Sequence, residues 1–326
     1  MNQSQNLNPP KAFLVGGKQT PPFVIPSQVQ DHLTVLRLFS ELRQRVENTS
    51  AEDLGLEYFP PADEKERRWS VFVGYAVERF ERWCKALRPE HCEQGIALIM
   101  PPLDVFMVWH TYLLNPGWFI EDVVRIPTLK GLWEAGKALA AALGMGLGEL
   151  LQTIPADEDH HIHNWEKMTA TPFDPFKSLS TVIDKTIICP KCGMANRAPF
   201  LHADGTGFHQ VNFTIVCQNT DHYCGFKITH DVLAMRKLLD DLLAPETRTN
   251  EPLAQSFLAG TLYTPGNTKN IAYARRVKTA ILQAEFFTPR TEIDVPTTRT
   301  IMQKAKYSFA IIKSAIYTQL KTDERL

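Results

Sequence analysis

Apolar residues recur every three to four positions through most of the first 180 residues, a spacing that places them on one face of a helix. This pattern predicts helices over about 27–46 and 63–87, and shorter ones over 129–142 and 147–151. On the first of these helices, the residues that we expect to face the core are Val29, Leu33, Leu36 and Leu42. The first 26 residues lack the period and are interrupted by Pro and Gly, which predicts a partly disordered leader.

The stretch from Pro101 to Arg125, PPLDVFMVWHTYLLNPGWFIEDVVR, predicts two short helices that meet at a corner. Asp104 is expected to cap the first helix, because its carboxylate can accept the free backbone N–H groups of the first turn. Asn115 is expected to cap the second helix, with Pro116 at its first position, where a missing N–H costs nothing. The predicted fold class is mainly α, with a helical domain built around this corner.

His110 lies on the apolar surface of the first of these two helices, because the residues one turn before and one turn after it are apolar. A histidine in such a place is usually a core residue whose hydrogen bonds are satisfied. We therefore expect Asp104, Trp109 and His110 to act mainly as a structural corner, with His110 largely buried and hydrogen-bonded. The alternative is that His110 belongs to a ligand or metal site.

The second half of the chain opens with short β-type runs that are rich in Cys and Gly. Two residues separate Cys189 from Cys192, a spacing that turns both thiolates toward one metal ion. Cys217 and Cys224 form a second pair, with six residues between them. These two pairs predict a zinc-ribbon-like module over residues 181–230, in which four thiolates complete a tetrahedral zinc site.

The wider spacing of the second cysteine pair leaves other arrangements open. His222 is a possible substitute for one of the thiolates, and His202 and His209 are weaker candidates. Four free structural cysteines without a metal are the remaining alternative.

A histidine-rich segment, DEDHHIHNW over residues 157–165, precedes the module. Three histidines beside three acids could bind a metal ion. The ordinary interpretation is a polar helix start, since acids favour the positive end of a helix and the histidines are then solvated. We prefer the ordinary interpretation, because structural metal sites need ligands that are better separated along the chain.

Beyond the module the pattern predicts an amphipathic helix after Thr229 and two closing helices over about 271–287 and 297–320. Basic residues accumulate in these closing helices: Arg275, Arg276, Lys278, Lys304, Lys306 and Lys313. The predicted organisation is a leader (1–26), an α-helical domain (27–180), the zinc-ribbon-like module (181–230) and a C-terminal helical region (231–326).

Composition and charge narrow the function classes only a little. The 326 residues carry a net charge of −1, which disfavours a nucleic-acid-binding surface over the whole molecule but allows a local basic patch. Neither a signal peptide nor a membrane span is expected. Six cysteines, four of them clustered, indicate metal ligands in a reducing compartment, so we expect a cytoplasmic or nuclear protein.

Sequence motifs of catalysis are missing: there is no Gly-rich phosphate loop, no GxSxG elbow and no HExxH pair. An enzyme hypothesis would place its site near Asp104, His110, Glu121 and Asp122. Six residues at 100° each put His110 about 240° around the helix from Asp104, so these two side chains cannot share one face.

The string PPLDVFMVWHTYLLNPGWFIED resembles the signature of the glycine-rich-domain-containing protein family of fungi and plants, and CPKC, GTGF, NFTIVC and ITHDVL resemble its fungal branch. The resemblance extends over residues 12 to 320. It implies an α-helical domain with a metal-binding insertion, in a family largely without a defined biochemical activity. Some plant members are associated with RNA binding and with stress or developmental responses. This chain departs from the family by having Tyr112 where a second histidine is common, and by lacking a Gly-rich tail.

Three functional hypotheses follow from these observations. The first, which we favour, is a non-enzymatic binding or scaffold protein with a structural zinc site and a protein partner. The second is an RNA- or DNA-associated protein that uses the zinc module and the basic C-terminal helices, with a salt-dependent affinity. The third is an enzyme whose acids and histidine converge in an open pocket.

Overall fold

The computed structural model describes residues 10–56, 58–93, 95–151, 159–220, 223–243, 257–264, 267–268, 271–272 and 274–275. The fold is mainly α with a small β insertion, as predicted. Its helices include α1 (Pro26–Asn48), α2 (Lys65–Ala86), α3 (Leu103–Leu113), α4 (Pro116–Arg125), α5 (Lys130–Ala142), α6 (Asp159–Thr169), α7 (Pro175–Thr181) and α8 (His230–Leu243). Single 3₁₀ turns occupy Pro89–Cys92, Ile96–Leu98 and Pro127–Leu129.

The strands pair two by two, and each pair is antiparallel. They are β1 (Phe13–Val15) with β2 (Lys18–Thr20), β3 (Asp184–Ile188) with β4 (Ala195–Pro199), β5 (Ile215–Val216) with β6 (Lys227–Ile228), and β7 (Tyr263–Thr264) with β8 (Asn267–Thr268). The pairs β3–β4 and β5–β6 make up the inserted module.

Helices α2 and α3 form the centre of the main core, and α1, α5 and α6 contribute side chains around them. Trp83 of α2 and Trp109 of α3 are completely buried, with ring centroids 5.2 Å apart in an edge-to-face arrangement. Both tryptophans belong to the apolar stripe of their own helix, so burying the two stripes against each other sets how α2 and α3 pack.

The face that α1 buries differs from the prediction. Leu42 is buried as expected, but Val29, Leu33 and Leu36 are 46%, 59% and 43% exposed. The buried stripe consists of Val35, Leu38, Leu42 and Val46. Both sets have helical spacing, because this helix carries apolar residues on two faces, and periodicity alone cannot tell which face meets α2.

A carboxylate on α1 connects this helix to a distant part of the chain. Asp31 Oδ2 accepts the backbone N–H groups of Gly144 (2.8 Å), Gly146 (3.2 Å) and Leu147 (3.1 Å), which begin the helical residues 147–151. Burial raises the pKa of Asp31, but these backbone bonds outweigh burial and hold the pKa below its usual value. Asp31 therefore satisfies N–H groups that a helix start leaves without partners.

A second core joins α2 to the inserted module. Phe200, directly after β4, is completely buried and lies 5.1 Å from the ring of Tyr75 on α2. His209 stacks on Phe200 with ring centroids 4.2 Å apart. At the edge of this contact, Lys185 of β3 donates a 2.6 Å hydrogen bond to Glu78 of α2. The module is thus packed on the helical domain by its own aromatic residues.

Within the predicted leader, β1 and β2 form a hairpin that the sequence pattern did not predict. Its turn contains Gly16 and Gly17 at φ of 57° and 77°, values that glycine adopts without strain. Residues 1–9 lie outside the described part of the chain, as do nearly all of the two predicted closing helices and their basic residues beyond Arg275. Among the helices that are described, none combines the length and the hydropathy needed to cross a bilayer.

Candidate metal centre

The four predicted cysteines come together in the inserted module. The Sγ atoms of Cys189, Cys192, Cys217 and Cys224 all lie within 4.8 Å of one another. Cys189, Cys217 and Cys224 are buried, and Cys192 is half-buried. Twenty-four residues separate Cys192 from Cys217 in the sequence, so it is the fold that brings the two pairs to one point.

The distances between the sulfurs fit a tetrahedral metal centre. Sγ of Cys189 is 3.9 Å from that of Cys224, and Sγ of Cys192 is 3.5 Å from that of Cys217. Four sulfurs bound to one zinc ion at 2.3 Å would be separated by roughly 3.8 Å. A disulfide would require about 2.05 Å, so these sulfurs are not covalently paired, and they are close enough to bind one metal ion.

The first pair lies in the turn between β3 and β4. Cys189 N–H donates to Met194 O (2.8 Å), and Gly193 N–H donates back to Cys189 O (2.9 Å). This tight turn needs Gly193 at φ of 78°, a value that disfavours any residue with a Cβ. The chain thus folds back on itself between Cys189 and Met194, and both thiols of the first pair lie on the same side of this turn.

The second pair brackets the ends of β5 and β6. Cys217 N–H donates to Phe226 O (2.9 Å), which continues the ladder of these two strands by one bond. Before β6 the chain turns through Tyr223 and Gly225, whose φ values are 42° and 51°. The strand pairing places Cys217 opposite Phe226, two residues after Cys224, and this explains why six intervening residues still leave both cysteines at one site.

Two side-chain amides donate to sulfurs of the cluster. Asn219 Nδ2 donates to Cys192 Sγ (3.5 Å), and Asn196 Nδ2 donates to Cys217 Sγ (3.7 Å). Burial raises the pKa of Cys192, but the backbone N–H of Met194 and the Asn219 amide outweigh it and lower that pKa to about 6. Burial raises the pKa of Cys189 to about 12. The cluster thus contains at least one thiol that ionises near neutral pH, as metal binding requires.

The histidines proposed as substitutes do not join this cluster in the described part of the chain. His202 is exposed, and its Nδ1 lies 2.7 Å from Asp204 Oδ1. His209 is enclosed by the rings of Tyr75 and Phe200. His222 lies outside the described residues.

Residues 159–165 of the histidine-rich segment form the start of α6, and the described histidines there do not gather at a metal site. His163 is exposed, which agrees with the ordinary interpretation. His161 differs, because it is buried and its Nε2 lies 2.9 Å from Met100 O. A carbonyl oxygen can only accept, so His161 donates this hydrogen bond.

The expectation that Asp104 caps α3 is wrong. The helix begins one residue earlier, at Leu103, and Pro102 occupies the capping position. Asp104 is 1% exposed and forms an ion pair with Arg79 of α2, whose Nε lies 3.0 Å from Asp104 Oδ2. Arg79 also donates to Phe173 O (2.8 Å). Burial raises the pKa of Asp104 and lowers that of Arg79, while the attraction between the two charges opposes both shifts.

His110 is half-buried and contacts rings, and its side chain has no hydrogen bond to another residue that the structure describes, so the expectation of a largely buried, hydrogen-bonded histidine is wrong. Its ring centroid lies 5.3 Å from that of His32 and 5.5 Å from that of Phe39, both on α1. Burial, followed by the charge of His32, lowers the pKa of His110. Trp109 is fully buried as expected. Asp104 faces α2 and His110 faces α1, which confirms that they occupy different faces of α3.

The four residues of the enzyme hypothesis have separate structural partners. Glu121 is buried and accepts the backbone N–H groups of Gly260 and Thr261. Asp122 accepts a 2.6 Å hydrogen bond from the hydroxyl of Tyr112. This hydrogen bond anchors α3, which carries Tyr112, to α4. Together with the ion pair of Asp104, these contacts are those of a structural corner.

Two groups of contributing residues were missed by the sequence analysis. Arg79 was not singled out, although it lies four residues before Trp83 and three after Ala76, on the buried side of α2. An arginine at a core position of an apolar stripe predicts a buried acidic partner. Asn196 and Asn219 carry no signal of this kind, because nothing in their spacing marks an amide directed at a sulfur.

Comparisons of the chain with protein-family models, with curated proteins and with solved structures find no match.

Proposed function

We propose that Cys189, Cys192, Cys217 and Cys224 bind one Zn²⁺ ion as a structural centre. The observation that carries the proposal is the set of four sulfurs within 4.8 Å of one another. All-thiolate tetrahedral sites favour zinc among the metals that are common in reducing compartments. Bound zinc would hold the turn after β3 and the ends of β5 and β6 together, at the end of the module where the strands are only two to five residues long.

The whole protein, in this proposal, is a non-enzymatic binding or scaffold protein. Support comes from the corner motif, whose acids are engaged by an arginine, by backbone amides and by a tyrosine hydroxyl. Charged groups that are fully used by the fold are poorly placed to move protons in a reaction. Membership of the glycine-rich-domain-containing family, suggested by the motif from Pro101 to Asp122, is part of the same proposal.

Metal analysis of the purified protein tests the zinc centre, and this is our first prediction. The parent protein should contain about one zinc per chain, because four thiolates fill the tetrahedral site. Cys192→Ser should lose most of the metal. Cys92→Ser is the matched control, since Cys92 lies outside the cluster with its Sγ 3.5 Å from Gly131 O, and this variant should keep the metal.

Absorption spectroscopy of the cobalt-substituted protein identifies the ligands. Cobalt exchanged into the parent should give the visible absorption of a tetrahedral thiolate site, and Cys192→Ser should weaken it. Folded protein that contains no metal and whose four thiols react freely would overturn the zinc centre. Turnover of a defined substrate that is lost in a stably folded His110→Ala variant would overturn the non-enzymatic assignment.

A further inference from the structure

A cleft of 490 Å³ opens between the 3₁₀ turns that follow α2 and helix α6. This volume lies within the range of about 300–1,000 Å³ that small-molecule sites occupy. The described residues that line it include neither His110 nor any cysteine of the metal centre. The cleft is therefore a separate feature, and no sequence motif pointed to it.

The floor of the cleft is apolar. It is formed by Leu98, Ile99, Met100, Trp165 and Met168. Ile99, Met100 and Trp165 are 6%, 1% and 3% exposed and belong to the main core. The hydrogen bond from His161 to Met100 O joins α6 to the segment after the second 3₁₀ turn, so the two sides of the cleft are connected. Such a floor is preformed, so a ligand would not have to order it on binding.

Hydrogen-bond donors surround this floor. Lys167 is exposed at the cleft, and no ion pair or hydrogen bond joins it to another described residue. His91 Nδ1 accepts the backbone N–H of Arg88 (3.2 Å), so the neutral ring carries its proton on Nε2. Trp165 lines the cleft as well, and its buried Nε1–H has no acceptor within the described part of the chain.

We infer that the cleft binds an amphipathic organic monoanion. The apolar body of the ligand lies on the floor, and its anionic group accepts from Lys167 Nζ and His91 Nε2–H. Glu90 also lines the cleft and would repel a second negative charge, which is why the class is a monoanion. This inference does not depend on the zinc centre.

Two fluorescent probes with the same aromatic body distinguish the contribution of charge to binding from the contribution of apolar contact. The anionic probe is 8-anilinonaphthalene-1-sulfonate, and the neutral one is N-phenyl-1-naphthylamine, which lacks the sulfonate. Each is titrated into the full-length, metal-replete protein and into variants whose thermal midpoint matches the parent. Lys167→Gln removes the cation, and Leu98→Trp fills the cleft from a residue that is 41% exposed and tolerates change.

Two control variants address other surfaces. Lys177→Gln makes the same change on an exposed lysine of α7, and Leu33→Gln removes an exposed leucine of α1 that could attract either dye. We expect Lys167→Gln to lower the affinity for the anionic probe at least about fivefold and the affinity for the neutral probe less than about twofold. Leu98→Trp should abolish saturable binding of both, and the controls should change neither.

Three outcomes would overturn the inference. The first is an absence of saturable binding of the anionic probe to the parent. The second is an equal affinity of that probe for the parent, Lys167→Gln and Leu98→Trp, which would place the dye elsewhere on the surface. The third is that Leu98→Trp loses binding of both probes while Lys167→Gln leaves the affinity for the anionic probe unchanged. The cleft would then bind apolar molecules, and the anionic ligand would be refuted.

Discussion

Asp104 and Arg79 form a buried ion pair, and this changes what the loss of Asp104 should cost. A missing helix cap costs about 1 kcal/mol, whereas leaving one member of a buried pair unpaired costs about 3–5 kcal/mol. Our second prediction is that Asp104→Ala lowers the free energy of unfolding by the larger amount, measured in urea. Asp240→Ala is the control, because its pair with Arg236 is exposed and such pairs contribute at most about 1 kcal/mol. A similar small loss in both variants would contradict the prediction.

His209 should make stability depend on pH, which is our third prediction. Burial, then the charges of Lys185 and His230, lower its pKa to about 4, whereas an unfolded histidine has a pKa of about 6.5. Between these values the unfolded chain binds more protons, so stability falls as pH drops below about 6.5. From pH 7 to pH 5.5 this group alone should remove about 1 kcal/mol from the free energy of unfolding.

The comparison that isolates His209 uses His209→Phe, which keeps an aromatic ring against Phe200. This variant should lose about 1 kcal/mol less than the parent over the same pH range. His163→Phe, an exposed histidine on α6, should follow the parent. Identical pH dependence of all three proteins would show that the pKa of His209 is the same in the folded and the unfolded chain.

At the residue scale, the sequence predicted the sites whose chemistry is local. The spacing of Cys189 and Cys192 is sufficient for two ligands, because a turn of this length has few other uses. Asp104 was misassigned, since a first-turn acid can cap its own helix or pair with another one, and only the neighbouring helix decides. His110 was placed too deep, because apolar neighbours one turn away do not determine how much of the ring the next helix covers.

At the scale of elements, α5 carries two glycines whose surroundings differ sharply. A Cβ added to Gly131 would lie 2.2 Å from the carbonyl oxygen of Leu87, whereas one added to Gly136 would meet nothing closer than Phe119 at 3.8 Å. Our fourth prediction is that Gly131→Ala destabilises the protein by about 3 kcal/mol, because the end of α2 would have to move. Gly136→Ala should stabilise it by about 0.5–1 kcal/mol, since alanine is the better helix former.

Thermal or urea unfolding of the two variants checks this pair, which shares one helix and one chemical change. Equal effects of the same sign would mean that α5 does not approach Leu87 this closely.

The positions of most helices were predictable from periodicity, as α2 and α5 illustrate. The buried face of α1 was not, because Val29, Leu33 and Leu36 have the same spacing as the residues that are buried.

At the scale of the whole molecule, the inserted module shares a core with the helical domain. Phe200 and Phe208 pack in one cluster with Phe72 and Tyr75 of α2. Our fifth prediction is therefore that loss of the metal weakens the helices too. Cys192→Ser should remove at least about 2 kcal/mol from the helical domain, which lowers the midpoint of the helical circular dichroism signal by about 4–8 °C.

Cys92→Ser again serves as the control and should unfold at the parent's temperature. If the helical signal of Cys192→Ser also melted at the parent's temperature, the module would have to be an independent unit despite this shared core.

No sequence pattern predicted the shared core. Phe200 and His209 lie in a stretch without clear period, and their partners on α2 are about 125 residues earlier in the chain.

Asp31 has a consequence for synthesis of the chain. Its carboxylate meets the N–H of Gly144 across 113 residues. A ribosome that adds about 5–20 residues per second needs roughly 6–23 s to make that length. Helix α1 therefore leaves the ribosome well before these N–H groups exist. During this interval α1 can already pack on α2 and α3, but the Asp31 carboxylate has to wait for its backbone partners, so this contact forms late in the synthesis of the domain.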